Sequence, residues 1–475
     1  MKVLPSSRKI FRWRIVKRVG LSLAAILVIL PFACLDTVDY HPYLRETYFK
    51  DTTARLRTQQ TTNHIVRGEL SAGFGRARLT PTVNSAVDDP VHGQFRSLPL
   101  AGYGNRNGKS ATGIHDDLFV KAVAIRVGDR IGVMIGADAL IIPPEVTDAA
   151  MARIVPELKL SREQIYLSAT HTHCSLGGWG EGWVGEAFAG GFQAGSRIWF
   201  ADCIVTAVRE ALNDLKIATL GHGQFTATQY VRNRVVGELG TIDPEFSFLV
   251  LQQQGGKTGI VGSFSAHATV LSGRMMEFSA DYPGAWQRAV ESATGGTAVF
   301  LAGGVGSHAP LPGESGIEGV EKMGQSLARM LLEKLPKTSL TNSITFGMLG
   351  LEVTLPQPNV RVTDALRLRP WLARTLVPLK THTYLQAFRI DDEIWISTPC
   401  DFSGELAQGI KQFIRPRGAN AVITSFNGDY IGYVICPKYY HLDGYEPRLM
   451  SFFGPYVPEY LDGLIRSITV QLSSN

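Results

Sequence analysis

The sequence predicts an α/β body in which mixed β-sheets are flanked by helices, built as a single large domain. Three observations carry that prediction. Phe119 to Val127 and Arg130 to Ala137 are β-rich runs joined by Gly128-Asp129, a two-residue hairpin signal. Arg197 to Lys216 places Ile198, Ala201, Val205, Val208, Leu212 and Leu215 on one helical stripe. Hairpins interleaved with helices call for a mixed sheet. Finally, 475 residues with 45% hydrophobic and 19% charged content describe a globular chain, and no internal repeat or low-complexity linker interrupts it between Gly73 and Leu472.

The N-terminus is set apart by charge. Seven of the 47 basic residues (Lys2, Arg8, Lys9, Arg12, Arg14, Lys17 and Arg18) precede the first acidic residue, Asp36, and leave 40 basic against 42 acidic residues in the remainder. A basic nucleic-acid footprint is therefore excluded, and no nucleic-acid partner is expected. The uncharged apolar run Val19 to Leu35 follows the cations. Its length is at the short end for a membrane span, and the charge order places the body outside the cytoplasm, periplasmic or extracellular. Residues 1–35 read as a basic segment plus an uncleaved signal anchor, with a removed signal peptide or a lipidated Cys34 as the other readings. Residues 36–71, polar with Arg and Thr throughout, read as a stalk, and 72–475 as the body.

Within the body, Pro143-Pro144 opens a helix to about Leu158, and Ile165 to Ser168 is a short apolar run with the character of a buried strand. Further strands are expected at Ile260 to Ala268, Ala298 to Ala302, Phe346 to Leu355, Leu385 to Ile390, Glu393 to Ser397 and Ala421 to Phe426. Gly316 to Leu335 and Val457 to Leu472 read as helices. The glycine-rich Gly102 to Gly108 lacks the residue order of a phosphate-binding loop. Of the five cysteines none has CxxC spacing, so a zinc-thiolate site is not indicated.

The stretch richest in chemistry is Ser168-Ala169-Thr170-His171-Thr172-His173-Cys174. On extended backbone, histidines at i and i+2 share a face with side chains roughly 7 Å apart, so one ring can bind a metal while the other exchanges protons nearby. Two histidines hydrogen-bonded at a strand end are the bland alternative. Four more stretches stand out: Ser265-Ala266-His267-Ala268-Thr269 followed by Ser279 to Gly284; Thr398-Pro399-Cys400-Asp401-Phe402-Ser403; Asn427 to Val434 with its tyrosines; and Tyr445-Glu446 in a segment ending Phe453-Gly454-Pro455. Asp401 could equally be a helix N-cap, Asp281 a partner of His267 or a turn residue, and Tyr433, Tyr445 and Arg234 ordinary packing and ion-pair residues.

Together with Gly113-Ile114-His115-Asp116, and in this order, these motifs resemble the neutral (alkaline) ceramidase family from about Gly73 to the C-terminus, its catalytic domain. The family's C-terminal β-sandwich is expected to be absent. The resemblance implies a Zn2+ site of His171, His267, Asp401 (where the family has glutamate) and Tyr433. It also implies His173 as acid and base, with Tyr445 and Arg234 at the reacting carbonyl. The implied activity is hydrolysis of the amide of a ceramide-like lipid or related N-acyl amine by a zinc-activated water. Gly306-Ser307-His308-Ala309-Pro310 departs from the family's Gly-Asp-Val-Ser-Pro. Ala309 cannot act as a nucleophile, and His308 is either a substrate contact or a filler. A zinc esterase or lactonase, or a non-catalytic lipid- or glycan-binding relative, are the alternatives.

Overall fold

The sheet branches from one long strand, Val66–Arg78. Its first residues pair with Ser343–Thr354, its remainder with Phe119–Val127, and Ser71 and Ala72 also with Ile217 and Lys216. Twelve strands result, in three wings. The first continues through Arg130–Ala137 to Ile165–Ala169. The second runs through Lys216–Thr226, Glu245–Gln253 and Thr258–Phe264 to Thr297–Ala302. The third runs from Ser343–Thr354 through His382–Ile390 and Glu393–Ser397 to Asn420–Thr424. The computed structural model describes residues 32–62 and 65–473 together with Lys17.

Each wing is antiparallel until its last pair, which is parallel. A parallel pair needs a crossover, and the helices Pro144–Leu158, Asp281–Thr294 and Gly404–Ile414 supply them. The residue pattern explains why the wings fold onto one another. Along Phe119–Val127, Val120, Ala122 and Ala124 pack outward among residues of Pro144–Leu158 and Ala194–Asn213. Val123, Ile125 and Val127 instead enter a central layer with Leu249 and Val261 of the second wing and Phe388 and Trp395 of the third. A strand covered on both faces must be apolar at both parities. Each fully buried aliphatic or aromatic side chain there contributes about 1.5–3 kcal/mol, and Val123→Asp would strand a charge between the wings.

Polar side chains fix how the wings meet. Tyr166 and Thr424 share a hydrogen bond of 2.7 Å, and Ser168 and Ser397 donate to the Ser425 and Leu167 carbonyls at 2.8 and 2.5 Å. The Ser425 amide in turn bonds the Ala302 carbonyl at 2.9 Å. The C-terminal ends of the three parallel pairs therefore gather at one place, the usual location of a site in α/β sheets.

Phe119–Val127, Arg130–Ala137 and Glu393–Ser397 stand where the sequence places them. The helix expected to reach Lys216 is Ala194–Asn213, and Lys216 instead begins a strand. The basic segment apart from Lys17, and most of the run Val19 to Leu35, lie outside the described residues. Among the described residues no helix is long and apolar enough to cross a membrane.

The expected stalk is instead part of the body. Leu35–Thr37 pairs with Leu366–Leu368, and the helix Thr47–Thr62 packs on Ser343–Thr354. That helix is polar overall and buries only a narrow stripe. Thr52 is fully buried and its hydroxyl accepts from the Thr354 amide at 2.9 Å, with Leu56 one turn on. A stripe this thin gives little periodic signal, which is why composition alone suggested a stalk.

Candidate metal centre

The strand Ile165–Ala169 ends before the histidine pair. His171 adopts φ +65°, so the pair does not lie on extended backbone as the spacing suggested, and its rings converge. The His171 ring stacks on Phe426 at 4.2 Å, and its Nδ1 bonds the Leu140 carbonyl at 2.6 Å. The loop is held from behind by Arg106, buried, which donates to the carbonyls of His173 (2.6 Å), Ala101 (3.0 Å) and Met275 (2.9 Å). Gly102 makes this approach possible: at φ +116°, a Cβ there would lie 2.6 Å from His173 Cα.

His267 follows Thr258–Phe264 and turns its Nδ1 to the Val305 carbonyl at 3.2 Å. The same Nδ1 lies 3.1 Å from an Arg234 nitrogen. One ring nitrogen cannot donate to the first and accept from the second, and the tautomer with a free Nε2 lone pair requires donation to Val305. Asp281, with φ +54°, accepts instead from the Leu271 and Tyr282 amides at 3.0 and 2.6 Å. It is a loop tie, and burial pushes its carboxyl up to about 7.

The three Nε2 atoms form a triangle: 2.8 Å between His171 and His267, 3.2 Å between His173 and His267, and 3.4 Å between His171 and His173. Imidazoles sharing one tetrahedral metal at 2.0–2.1 Å stand about 3.3–3.4 Å apart. Burial, with the neighbouring His171 and Arg234 charges, holds His173 and His267 well below the usual imidazole range. Both are neutral near pH 7 and offer lone pairs.

Asp401 arrives from the third wing, opposite Tyr433 in a two-residue parallel bridge, so the two side chains stand side by side. Tyr430 donates to Asp401 Oδ2 at 2.8 Å. Asp401 Oδ1 is buried, has no hydrogen-bond partner and lies 3.3 Å from His171 Nε2. A buried carboxylate oxygen left unpaired beside three converging imidazoles is a donor set suited to a divalent cation such as zinc. The helix N-cap is Ser403, whose side chain accepts from the Leu406 amide, not Asp401.

Arg234 pairs with Glu446, and its guanidinium lies 5.9 Å from the centre of the Tyr433 ring. Tyr445 meets Tyr433 edge-on at 5.7 Å and is 39% exposed. The altered loop lies behind these residues. Ser307 accepts from the Gly404 amide at 3.1 Å, and its carbonyl accepts from the Arg234 amide at 2.9 Å. His308 is fully buried against Gly404, where a Cβ would lie 1.8 Å from its ring. His308 is thus a packing residue, and Ala309 pairs with Arg232 in a short ladder.

The seven residues that the resemblance implies (His171, His173, Arg234, His267, Asp401, Tyr433 and Tyr445) come together. Arg106, Tyr430 and Glu446 were given no role, although Tyr430 and Glu446 lie inside stretches that stood out, while the glycine-rich loop that holds Arg106 was set aside. Above the cluster opens a cavity of 240 Å³, floored by His171, His173, Asp401 and the tyrosines and walled by apolar side chains including Ile141, Trp179, Val184, Phe188 and Leu379. A second group, His222 with Asp391 and Asp392, also gathers metal-capable atoms. There both ring nitrogens already face carboxylates, Asp392 at 2.7 Å and Glu393 at 3.3 Å.

Comparison with known proteins bears on the fold and on part of the sequence. Residues 86–305 match the family described as neutral/alkaline non-lysosomal ceramidase, N-terminal. That span includes His171, His173, Arg234 and His267 and stops short of Asp401, Tyr433 and Tyr445. The neutral ceramidase of Mycobacterium tuberculosis is 25% identical over 257 residues, covering 49% of this chain and 37% of its own length. That of Pseudomonas aeruginosa is 25% identical over 257 residues, covering 50% of this chain and 36% of its own. The matches thus span little more than a third of these relatives. The crystal structure of the Pseudomonas aeruginosa neutral ceramidase superposes with a TM-score of 0.69 at 20% identity, covering 85% of this chain and 74% of that one. A ceramidase complexed with C2 gives 0.69 at 18% identity, covering 85% and 75%. By its sequence over residues 86–305 and by its fold, the chain is related to the neutral/alkaline non-lysosomal ceramidases through their N-terminal domain.

Proposed function

We propose that the chain is a metal-dependent amidohydrolase, with zinc as its metal, that cleaves the amide of an N-acylated lipid of the ceramide kind. The observation that carries this reading is that His171, with His267 and Asp401 Oδ1 on either side of its Nε2, lies at the floor of an apolar cavity. When bound, zinc would polarise the carbonyl and bring the pKa of a coordinated water from 15.7 toward about 7.

The chain's own groups divide the remaining work. His171 and His267 each bond a backbone carbonyl through Nδ1, the arrangement that fixes a ligating imidazole with Nε2 toward the metal. His173 lacks it: its Nδ1 has no hydrogen bond of normal geometry, and the Gly102 backbone beside it falls short. A ring not committed to one tautomer suits proton transfer, so His173 takes the proton of the attacking water and passes it to the amine as the C–N bond breaks. Arg234 and Tyr445 donate to the developing oxyanion, each well-aimed donor being worth about 3–4 kcal/mol. Tyr433, beside Asp401, completes the ligand set. No hydroxyl nucleophile is needed, which accommodates Ala309. The apolar walls receive the acyl chain.

The test is turnover of N-acyl sphingosines, matched esters and lactones by the full chain, with zinc measured by elemental analysis before and after chelation. Amide cleavage that tracks zinc supports the proposal. Cleavage of esters or lactones alone would move the assignment to an esterase, and binding without zinc or turnover would leave a lipid-binding protein.

A further inference from the structure

We propose that the mouth of this cavity is a docking surface for a lipid bilayer, with Trp183, Trp371 and Leu376 as its apolar contacts. The proposal draws its purpose from the lipid-amidase reading, but its observations are independent of that reading.

Two short helices flank the opening. In Gly182–Ala189 the inner side chains Val184 and Phe188 line the cavity, while Trp183 is 80% exposed. Pro370–Leu376 packs against it and presents Trp371, 57% exposed, and Leu376, 42% exposed. The next residues, Val377 to Lys380, return to line the cavity. Exposed tryptophans beside an opening are costly in water and favoured at a membrane interface, where the ring is half apolar and half hydrogen-bonding.

The occupant follows from where the N-terminal chain enters the body. The apolar run Val19 to Leu35 leads into the strand Leu35–Thr37, which pairs with Leu366–Leu368. The Arg369 amide bonds the Cys34 carbonyl at 2.8 Å, and its Nε bonds those of Phe32 and Leu35 at 3.0 and 3.1 Å. Phe32 itself is 73% exposed. The end of the apolar run is therefore fastened two residues before Trp371. Were that run to insert in a bilayer, its fastening there would hold the cavity mouth at the lipid surface, and the high effective concentration would let a small apolar rim suffice. Charge at the mouth is mixed, Lys380 lining it together with Glu145 and Glu181, so the apolar rim and the fastening of the chain carry the attachment.

The experiment is tryptophan fluorescence of the full chain, reconstituted in vesicles of phosphatidylcholine and phosphatidylglycerol with brominated acyl chains. Bromine quenches only rings that reach the acyl region. Trp183→Phe and Trp371→Phe should each remove part of the quenchable signal. Trp199→Phe should not, since that ring is half-buried and bonds the Leu79 carbonyl at 2.9 Å. Trp13, in the basic segment, is a common background to every sample. Equal quenching in the parent and in both rim variants overturns the proposal. Because no turnover is measured, failure of the amidase reading leaves this outcome untouched, and the reverse holds as well.

Discussion

Replacing His171 and His173 by alanine one at a time separates a metal ligand from a proton carrier. His171→Ala removes a ring that is buried, stacked on Phe426 and tied to the Leu140 carbonyl. Removing a first ligand should weaken metal binding by more than the 10–100-fold typical of losing an outer partner. The variant should therefore emerge from dialysis without zinc and without turnover. His173→Ala leaves both carbonyl-anchored imidazoles and Asp401 in place, so most of the zinc should remain. Its turnover should fall about 10²–10⁴-fold, which is about 3–5 kcal/mol of barrier. Small imidazoles that fit the vacated volume should recover part of that rate. The assay is elemental analysis beside single-turnover rates on one batch of each protein. The Nε2 triangle is also compatible with three nitrogen ligands, so equal zinc loss in both variants would refute the division of labour and place His173 in the coordination set.

The other expectations are separate from that one. Tyr430→Phe removes the donor to Asp401 Oδ2, and zinc affinity, read by competition with a chromogenic chelator, should drop about 10–100-fold while the fold melts normally. Ala309→Ser should alter turnover by less than about threefold, because the proposed route uses no hydroxyl there; a large gain would mean that a serine-dependent mechanism had been lost. His222 gives a pH-dependent stability. Burial alone would lower its pKa, but the bonds to Asp392 and Glu393 raise it to about 10. A raised imidazole stabilises the fold fully below its unfolded value near 6.5, and that contribution is lost as pH rises through about 10. Discounted for the half-exposed Asp392, the loss is on the order of 1 kcal/mol. The melting temperature should fall between pH 7 and 10 in the parent and stay flatter in His222→Gln; parallel curves would remove His222 from the account.

What the sequence by itself determined were the elements whose signals are local. The hairpin at Gly128-Asp129, the proline-initiated helix from Pro144 and the amphipathic C-terminal helix Val457–Ser473 each carry period, cap or turn chemistry within a short window. The candidate site residues were legible only through the order of their motifs, which resembles that of the neutral ceramidase family. Tertiary structure alone decided how these residues face one another. The kink at His171 is set by Phe426, Leu140 and Arg106, residues from 31 to 255 positions away, and no spacing rule on Thr170 to Cys174 contains them. The strands Lys216–Thr226 and Glu245–Gln253 pair through contacts that their own composition does not announce, since Gly221, His222 and Gly223 interrupt the apolar run. The helix Thr47–Thr62 is held to the body across some 300 residues, where the Thr354 amide donates to Thr52 and the Glu352 carbonyl accepts from Arg55. Side-chain chemistry is a property of position in the chain, whereas convergence depends on the packing of three wings that meet only after folding.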